Sequence, residues 1–195
     1  MKILVLAPLK VEYDNFKNAL ASCSNLKHSY KVVECGVGKA NAASTAALEL
    51  CTWDQKFDLC VVIGYAAGGL NLQQGSVVIP KEVRYHDTFI IEGIADELLK
   101  LYPLCGMDDY TILTGDCFVS PELATSLSSR FGSHDLVFDM ESAAVAQICD
   151  DLNVPCFVIK LISDIPQRNH NETTFLDFVN ENKDFNAFVR FIETL

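Results

Sequence analysis

Three acids stand where carboxylates are out of place. Glu12 falls in a segment, about Val11–Ser22, in which Glu12, Phe16, Ala19 and Leu20 share one face at helical spacing, and that face is the apolar one. Glu141 opens a second such segment. In FDMESAAVAQICDDL the apolar stripe is Ala144, Val145, Ile148, Cys149 and Leu152, and Glu141 sits one turn before it on the same side. Asp164 ends CFVIKLISD, at the carboxyl end of what reads as a central strand. Each has an ordinary explanation as well. A first-turn acid is favoured by the helix dipole. Asp139 competes as the cap of the second helix. Asp164 makes a turn with Ser163 and Pro166. Three such acids at strand ends, with no histidine at metal-ligand spacing, point to general acid/base work rather than metal-assisted hydrolysis.

The elements that must position these acids alternate in type. Short apolar runs at Lys2–Ala7, Tyr30–Cys35, Leu59–Gly64, Ser76–Pro80, Tyr110–Thr114, Leu136–Phe138 and Cys156–Ile162 read as strands. LCVVIG and CFVIKLI are almost continuously apolar, the pattern of strands covered on both faces in a mainly parallel or mixed sheet. Amphipathic stretches at Val11–Ser22, Lys39–Cys51, Asp96–Leu101, Pro121–Arg130, Glu141–Leu152 and Phe175–Glu193 read as helices. Such alternation argues for an α/β fold with helices on both faces of the sheet. No repeat, low-complexity tract or linker interrupts it, so residues 1–195 are expected to form one domain. Ligands of such sheets bind beyond the carboxyl ends of the strands, which is where the three acids lie.

Other strand ends carry small or aromatic residues. The turn GYAAGGL (64–70) offers Ala67 and Gly68, which let backbone approach a ligand closely. It is not G-x-G-x-x-G, and Gly36-Val37-Gly38-Lys39 lacks the spacing of a phosphate-binding loop. GDCFVS (115–120) places Phe118 and Val119 either in the core or as a stacking surface and backbone edge for a flat base. His86, alone in RYHD, reads as a satisfied structural residue.

Composition excludes several classes. With 15 Lys and Arg against 26 Asp and Glu the formal net charge is −11, which repels phosphate backbones and anionic lipid. No run approaches a membrane span, and the N-terminal apolar run lacks a signal-peptide pattern, so a cytoplasmic protein with reduced thiols is expected. The eight cysteines form no C-x-x-C pair; most are expected to be small core residues, with no metal site and no cofactor.

Taken in order, MKILVLAPLKVE, CGVGKANAA, AAGGL with GSVVIPKEVRYHD, GDCFV, FDMESAAVA and NVPCFVIKLISD resemble the 5′-methylthioadenosine/S-adenosylhomocysteine nucleosidases and futalosine hydrolases of the purine nucleoside phosphorylase superfamily. The resemblance runs nearly end to end. It implies a three-layer α/β/α sandwich around a mixed, partly closed sheet, a small-molecule nucleoside substrate and a homodimer. By position it implies that Glu12 activates water, Asp164 gives a proton to the purine N7, and Glu141 holds the ribose hydroxyls over Met140. Phe118 would stack on the base, the Val119 backbone would read its edge, and Phe175 would close over the site from a C-terminal helix. Asp139, Tyr65, Ala66 and Lys160 depart from the family pattern, Lys160 standing for an arginine and expected to pair with Asp139.

The chemistry fits those residue types. Cleaving an N-glycosidic bond builds positive charge on the ribose and needs a protonated purine as leaving group. The expected activity is hydrolysis of 5′-substituted adenine nucleosides: methylthioadenosine, S-adenosylhomocysteine, or aminodeoxyfutalosine of a menaquinone route. A phosphorylase would need cations for phosphate, and the first-strand turn offers only Lys10. A non-catalytic nucleoside-binding protein would not need a base placed for water. The stretch between Tyr85 and Gly115 leaves little room for a cap over the 5′ group, so bulky substrates are expected to react at least as well as methylthioadenosine.

Overall fold

The computed structural model describes residues 1–52, 56–88, 100–132, 135–168, 172–182 and 184–195, the side chains of 172–174 excepted. In chain order the described elements are β1 (Lys2–Ala7), α1 (Lys10–Ser22), β2 (Ser29–Glu34), α2 (Lys39–Leu50), β3 (Leu59–Gly68), β4 (Val77–Val78), β5 (Pro80–Tyr85), β6 (Tyr102–Pro103), β7 (Asp108–Thr114), α3 (Pro121–Phe131), β8 (Leu136–Asp139), α4 (Ser142–Asp151), β9 (Cys156–Asp164), α5 (Glu172–Glu181) and α6 (Asn186–Ile192).

The strands form one mixed sheet. Its main path runs β2-β1-β3-β8-β7-β5-β6, with β9 on β3 and β4 on β9. Alternation along β1 divides the core. Leu4 and Leu6 face α2 and α4 with Ala42, Ala46, Val145 and Cys149. Ile3 and Val5 face α1 and α6 with Phe16, Phe188 and Ile192. The result is the three-layer sandwich expected from strands apolar on both faces. Helix α3 covers a third cluster with Leu113 and Phe138.

β3 is the pivot that makes the site. One of its edges pairs with β9 from Cys60 to Ala67. The other pairs with β1 at Leu59–Val62 and with antiparallel β8 at Ala67 and Gly68. The carboxyl ends of β1, β8 and β9 therefore arrive around the upper half of one strand. Ile79 alone separates β4, which pairs with β9, from β5, which pairs with β7. The path β3-β8-β7-β5, continued through β4 and β9, thus returns to β3 and closes the sheet on itself.

Some expected boundaries change. The turn expected at 64–70 is strand as far as Gly68, because β8 and β9 both pair with its end. The expected helix Phe175–Glu193 is two. Phe185, fully buried, turns inward between them, and the Asn182 and Asp184 side chains bond nearby backbone instead of letting the helix run on. Residues 96–99 of the expected helix Asp96–Leu101 lie outside the described residues. Four of the eight cysteines are buried rather than most. His86 is buried, but its Nε2 has no hydrogen-bond partner among the described residues; a side chain at Gly115 would overlap it.

Candidate active site

A cavity of about 190 Å³ opens at the carboxyl ends of these strands. Its lining includes Glu12, Ala67, Phe118, Val119, Met140, Glu141, Asp164 and Phe175. Eight of the nine residues expected from the sequence therefore meet there. Gly68 does not. It is the last residue of β3, where a side chain would strike Ile165, Ile162 and Leu72, so its smallness serves packing rather than ligand approach. Pro8, Leu9, Val37, Tyr65, Ala66, Cys117 and Ser163 also line the cavity.

Glu12 satisfies both of its readings at once. Its Oε2 accepts the Leu9 N–H (2.7 Å) at the start of α1, the capping role. Its Oε1 accepts the Tyr65 N–H (2.8 Å) of β3, which turns the carboxylate toward the cavity. The space for it is made by Gly64. A Cβ at 64 would overlap Oε1 and lie 2.8 Å from Cδ, and φ there is +148°. Gly64→Ala is therefore expected to displace the carboxylate and lower kcat by about 10²-fold, as a misplacement near 1 Å does. Adenine affinity should change little. Steady-state rates and adenine titration check this.

Glu141 is held from two elements. Oε1 accepts the Gly38 N–H (2.9 Å) at the start of α2, and Oε2 the Met140 N–H (3.3 Å). Asp164 ends β9 in register with Ala67 and is buried; the Ser163 hydroxyl donates to its Oδ1 (2.7 Å) and lies 3.1 Å from the Ala66 carbonyl.

A buried cation sits behind the acids. Lys160 is wholly inaccessible and its Nζ is 3.0 Å from Asp139 Oδ2, the pairing expected from the sequence. Asp139 also accepts from the Thr114 hydroxyl (2.6 Å), the Ser142 hydroxyl and the Ser142 N–H (3.1 Å). Burial alone would raise the Asp139 carboxyl, but Lys160 and these donors outweigh it and hold it low. Burial would likewise lower Lys160, but Asp139, Glu141 and Glu12 keep it raised and charged. Glu12 and Glu141 differ. Burial pushes each up to about 7 against the pull of Lys160. The site thus holds a fixed ion pair and two carboxyls that exchange protons near neutrality, the condition general acid/base catalysis requires.

A second ion cluster has no local trace in the sequence. Lys39 Nζ lies 2.7 Å from Asp87 and 3.4 Å from Asp116. The Lys39 N–H donates to Asp116 (2.9 Å), and the Asp116 N–H to Asp87 (2.8 Å). These contacts fasten the loop carrying Phe118 and Val119 to the start of α2, which holds Glu141. The only signals were three short motifs, GVGK, YHD and GDC, that nothing local connects.

Phe118 is 44% exposed, while Val119 packs inward. Phe118 meets Phe175 of α5 edge-on, with centroids 5.9 Å apart, across the cavity. No described helix is long and apolar enough to cross a membrane.

The phosphorylase superfamily profile matches residues 107–190. Among curated proteins, the chain is 30% identical to a 5′-methylthioadenosine/S-adenosylhomocysteine nucleosidase of Bacillus pumilus, over 88% of this chain and 89% of that one. It is 32% identical to the Bacillus cytotoxicus protein of the same description, over 77% of this chain and 75% of that one. Among solved structures, apo 5′-methylthioadenosine nucleosidase of Arabidopsis thaliana superposes with a TM-score of 0.83 at 17% identity, over 99% of this chain and 94% of that one. S-adenosylhomocysteine nucleosidase of Streptococcus pyogenes, solved with 5-methylthiotubericidin, gives 0.80 at 22% identity, over 100% and 97%.

Proposed function

The chain belongs to the 5′-methylthioadenosine/S-adenosylhomocysteine nucleosidase family, and from that premise we propose that it hydrolyses the N-glycosidic bond of 5′-substituted adenine nucleosides, releasing adenine. The observation that carries the reading is the convergence of Glu12, Glu141 and Asp164, from three separate elements, on one cavity walled by Phe118 and Phe175.

In this reading the adenine lies against Phe118, its edge read by the Val119 backbone and approached by the Ala67 backbone. Asp164 gives its proton to N7, so the base leaves neutral. Glu141 accepts hydrogen bonds from the ribose hydroxyls, and its charge favours the developing oxocarbenium ion. Met140 packs under the sugar. Glu12 takes a proton from water on the ribose face opposite the base, and Phe175 closes the cavity from α5. Residues 1–195 act as one nucleosidase domain, as a homodimer, in the cytoplasm.

Hydrolysis is favoured over phosphorolysis by charge. The described lining holds no Lys or Arg, and its only ionisable side chains besides Tyr65 and Cys117 are carboxyls, so a phosphate dianion would enter a field of its own sign. A binding protein is disfavoured because recognition alone would not require a base held toward the cavity as Glu12 is by the Leu9 and Tyr65 N–H groups.

The proposal extends to bulky 5′ groups, S-adenosylhomocysteine and the aminodeoxyfutalosine of menaquinone synthesis. Val37 lines the cavity yet is 42% exposed, so that wall is open to solvent. A panel of the three nucleosides, read by free adenine, tests both levels. Adenine should appear from all three, with kcat/KM for the larger two at least equal to that for methylthioadenosine. Preference for methylthioadenosine alone would remove the extension, and binding without adenine release would overturn hydrolysis.

A further inference from the structure

Tyr65 is the one large side chain in a run of small ones, Gly64-Tyr65-Ala66-Ala67-Gly68. Small residues suit a strand end that must approach a ligand, so a phenol there has another reason to exist. It is buried, and its contacts join β3, α1, α5 and the connection between α5 and α6. Its N–H is the donor that turns Glu12 toward the cavity. Its hydroxyl accepts from Asn15 Nδ2 (3.2 Å), one turn beyond Glu12 on the buried face of α1. The same hydroxyl donates to the Asn182 carbonyl (2.7 Å), just past the end of α5. Its ring lies edge-on to Phe175 and Phe178 of α5, each 6.3 Å away, and to Phe185 at 5.4 Å.

Helix α5 is thus gripped at both ends by one side chain. Phe175 near its start touches the ring, and the carbonyl just after its last residue receives the hydroxyl proton. Burial pushes the phenol up to about 12, so it stays a donor through the neutral range.

We propose that Tyr65 is a positioning residue that fixes helix α5, and through it Phe175, over the cavity from the same strand position that fixes Glu12. The inference rests on the nucleosidase reading for its consequence in turnover, and on contacts alone for its structural part. Holding Phe175 in place before the nucleoside arrives removes an ordering cost that binding would otherwise bear. Apparent affinity falls by the fraction of molecules in which the competent arrangement exists. The role therefore shows in KM rather than in kcat, because a saturating nucleoside restores the arrangement.

The test is a double-mutant cycle of Tyr65→Phe and Phe175→Ala, joined to amide hydrogen exchange. Tyr65→Phe keeps the ring and loses both hydroxyl contacts. It should raise KM for methylthioadenosine about tenfold with kcat within about twofold. In the Phe175→Ala background the same change should add less than about twofold, since coupled residues are not additive. Amides of residues 175–182 should exchange about tenfold faster in Tyr65→Phe, with β3 unchanged. Unchanged exchange in α5, additive effects on KM, or faster exchange over the whole chain would each overturn the proposal. Absence of turnover in the wild-type protein would instead overturn the nucleosidase reading and leave the exchange experiment to decide this one.

Discussion

Asp164→Asn is expected to lower kcat by about 10²–10⁴-fold while the nucleoside still binds. The substitution is nearly isosteric. Its carbonyl oxygen can keep the Ser163 hydroxyl as donor, the contact that orients Oδ1. What the amide cannot do is give up a proton. Without protonation at N7 the purine must leave as an anion, and the ribose cation forms against that added charge separation. The group is also buried, at the carboxyl end of β9, where water is a poor substitute donor. Adenine affinity should fall far less than kcat, because a neutral amide can still hydrogen-bond the ring nitrogen. Steady-state kinetics with a parallel adenine titration reads both. A kcat within a few-fold of wild type would remove Asp164 from the chemistry.

Glu12→Gln should cost a similar factor, and the wild-type pH profile should say why. Burial first, then the charge of Glu141, raises the Glu12 carboxyl, while Lys160 and the Tyr65 and Leu9 N–H groups lower it; the balance is about 7. A base works ionised, so kcat/KM should rise with pH through about 7. Glu141 titrates in the same range. Both must be ionised in this mechanism, so the acid limb should be steeper than one proton gives. In Glu12→Gln the amide nitrogen faces a backbone N–H at either Leu9 or Tyr65, so orientation suffers along with basicity. A kcat loss of about 10²–10⁴-fold at pH 8, with nucleoside dissociation constants changed much less, is expected. Loss of thermal stability with normal kcat would make Glu12 only the cap of α1.

How much of this was legible in the sequence depends on whether the signal was local. Glu12 and Glu141 could be picked out because an acid one turn from an apolar stripe breaks a periodicity visible within fifteen residues. Asp164 followed from the end of an apolar run. That all three meet follows from β3 pairing with β1, β8 and β9 together, a long-range fact with no local trace. The same holds for Lys39 with Asp87 and Asp116, separated by 48 and 77 positions. Gly64 and Gly68 look alike in GYAAGGL, yet one makes room for a carboxylate and the other for Ile162, Ile165 and Leu72. Smallness is visible in a sequence, but what fills the space is not. The break between α5 and α6 was hidden for a related reason. Phe178, Phe185 and Phe188 continue an apolar pattern through a segment whose side chains bond their own backbone.

Cleavage by water, with carboxyls and no phosphate, is the centre of the account. Methylthioadenosine should be turned over in H₂¹⁸O containing inorganic phosphate and the sugar product analysed by mass spectrometry. Glu12 acting on water predicts free 5-methylthioribose carrying one ¹⁸O at C1, at a rate independent of phosphate concentration. A 5-methylthioribose 1-phosphate, formed at a rate that rises with phosphate, would contradict it.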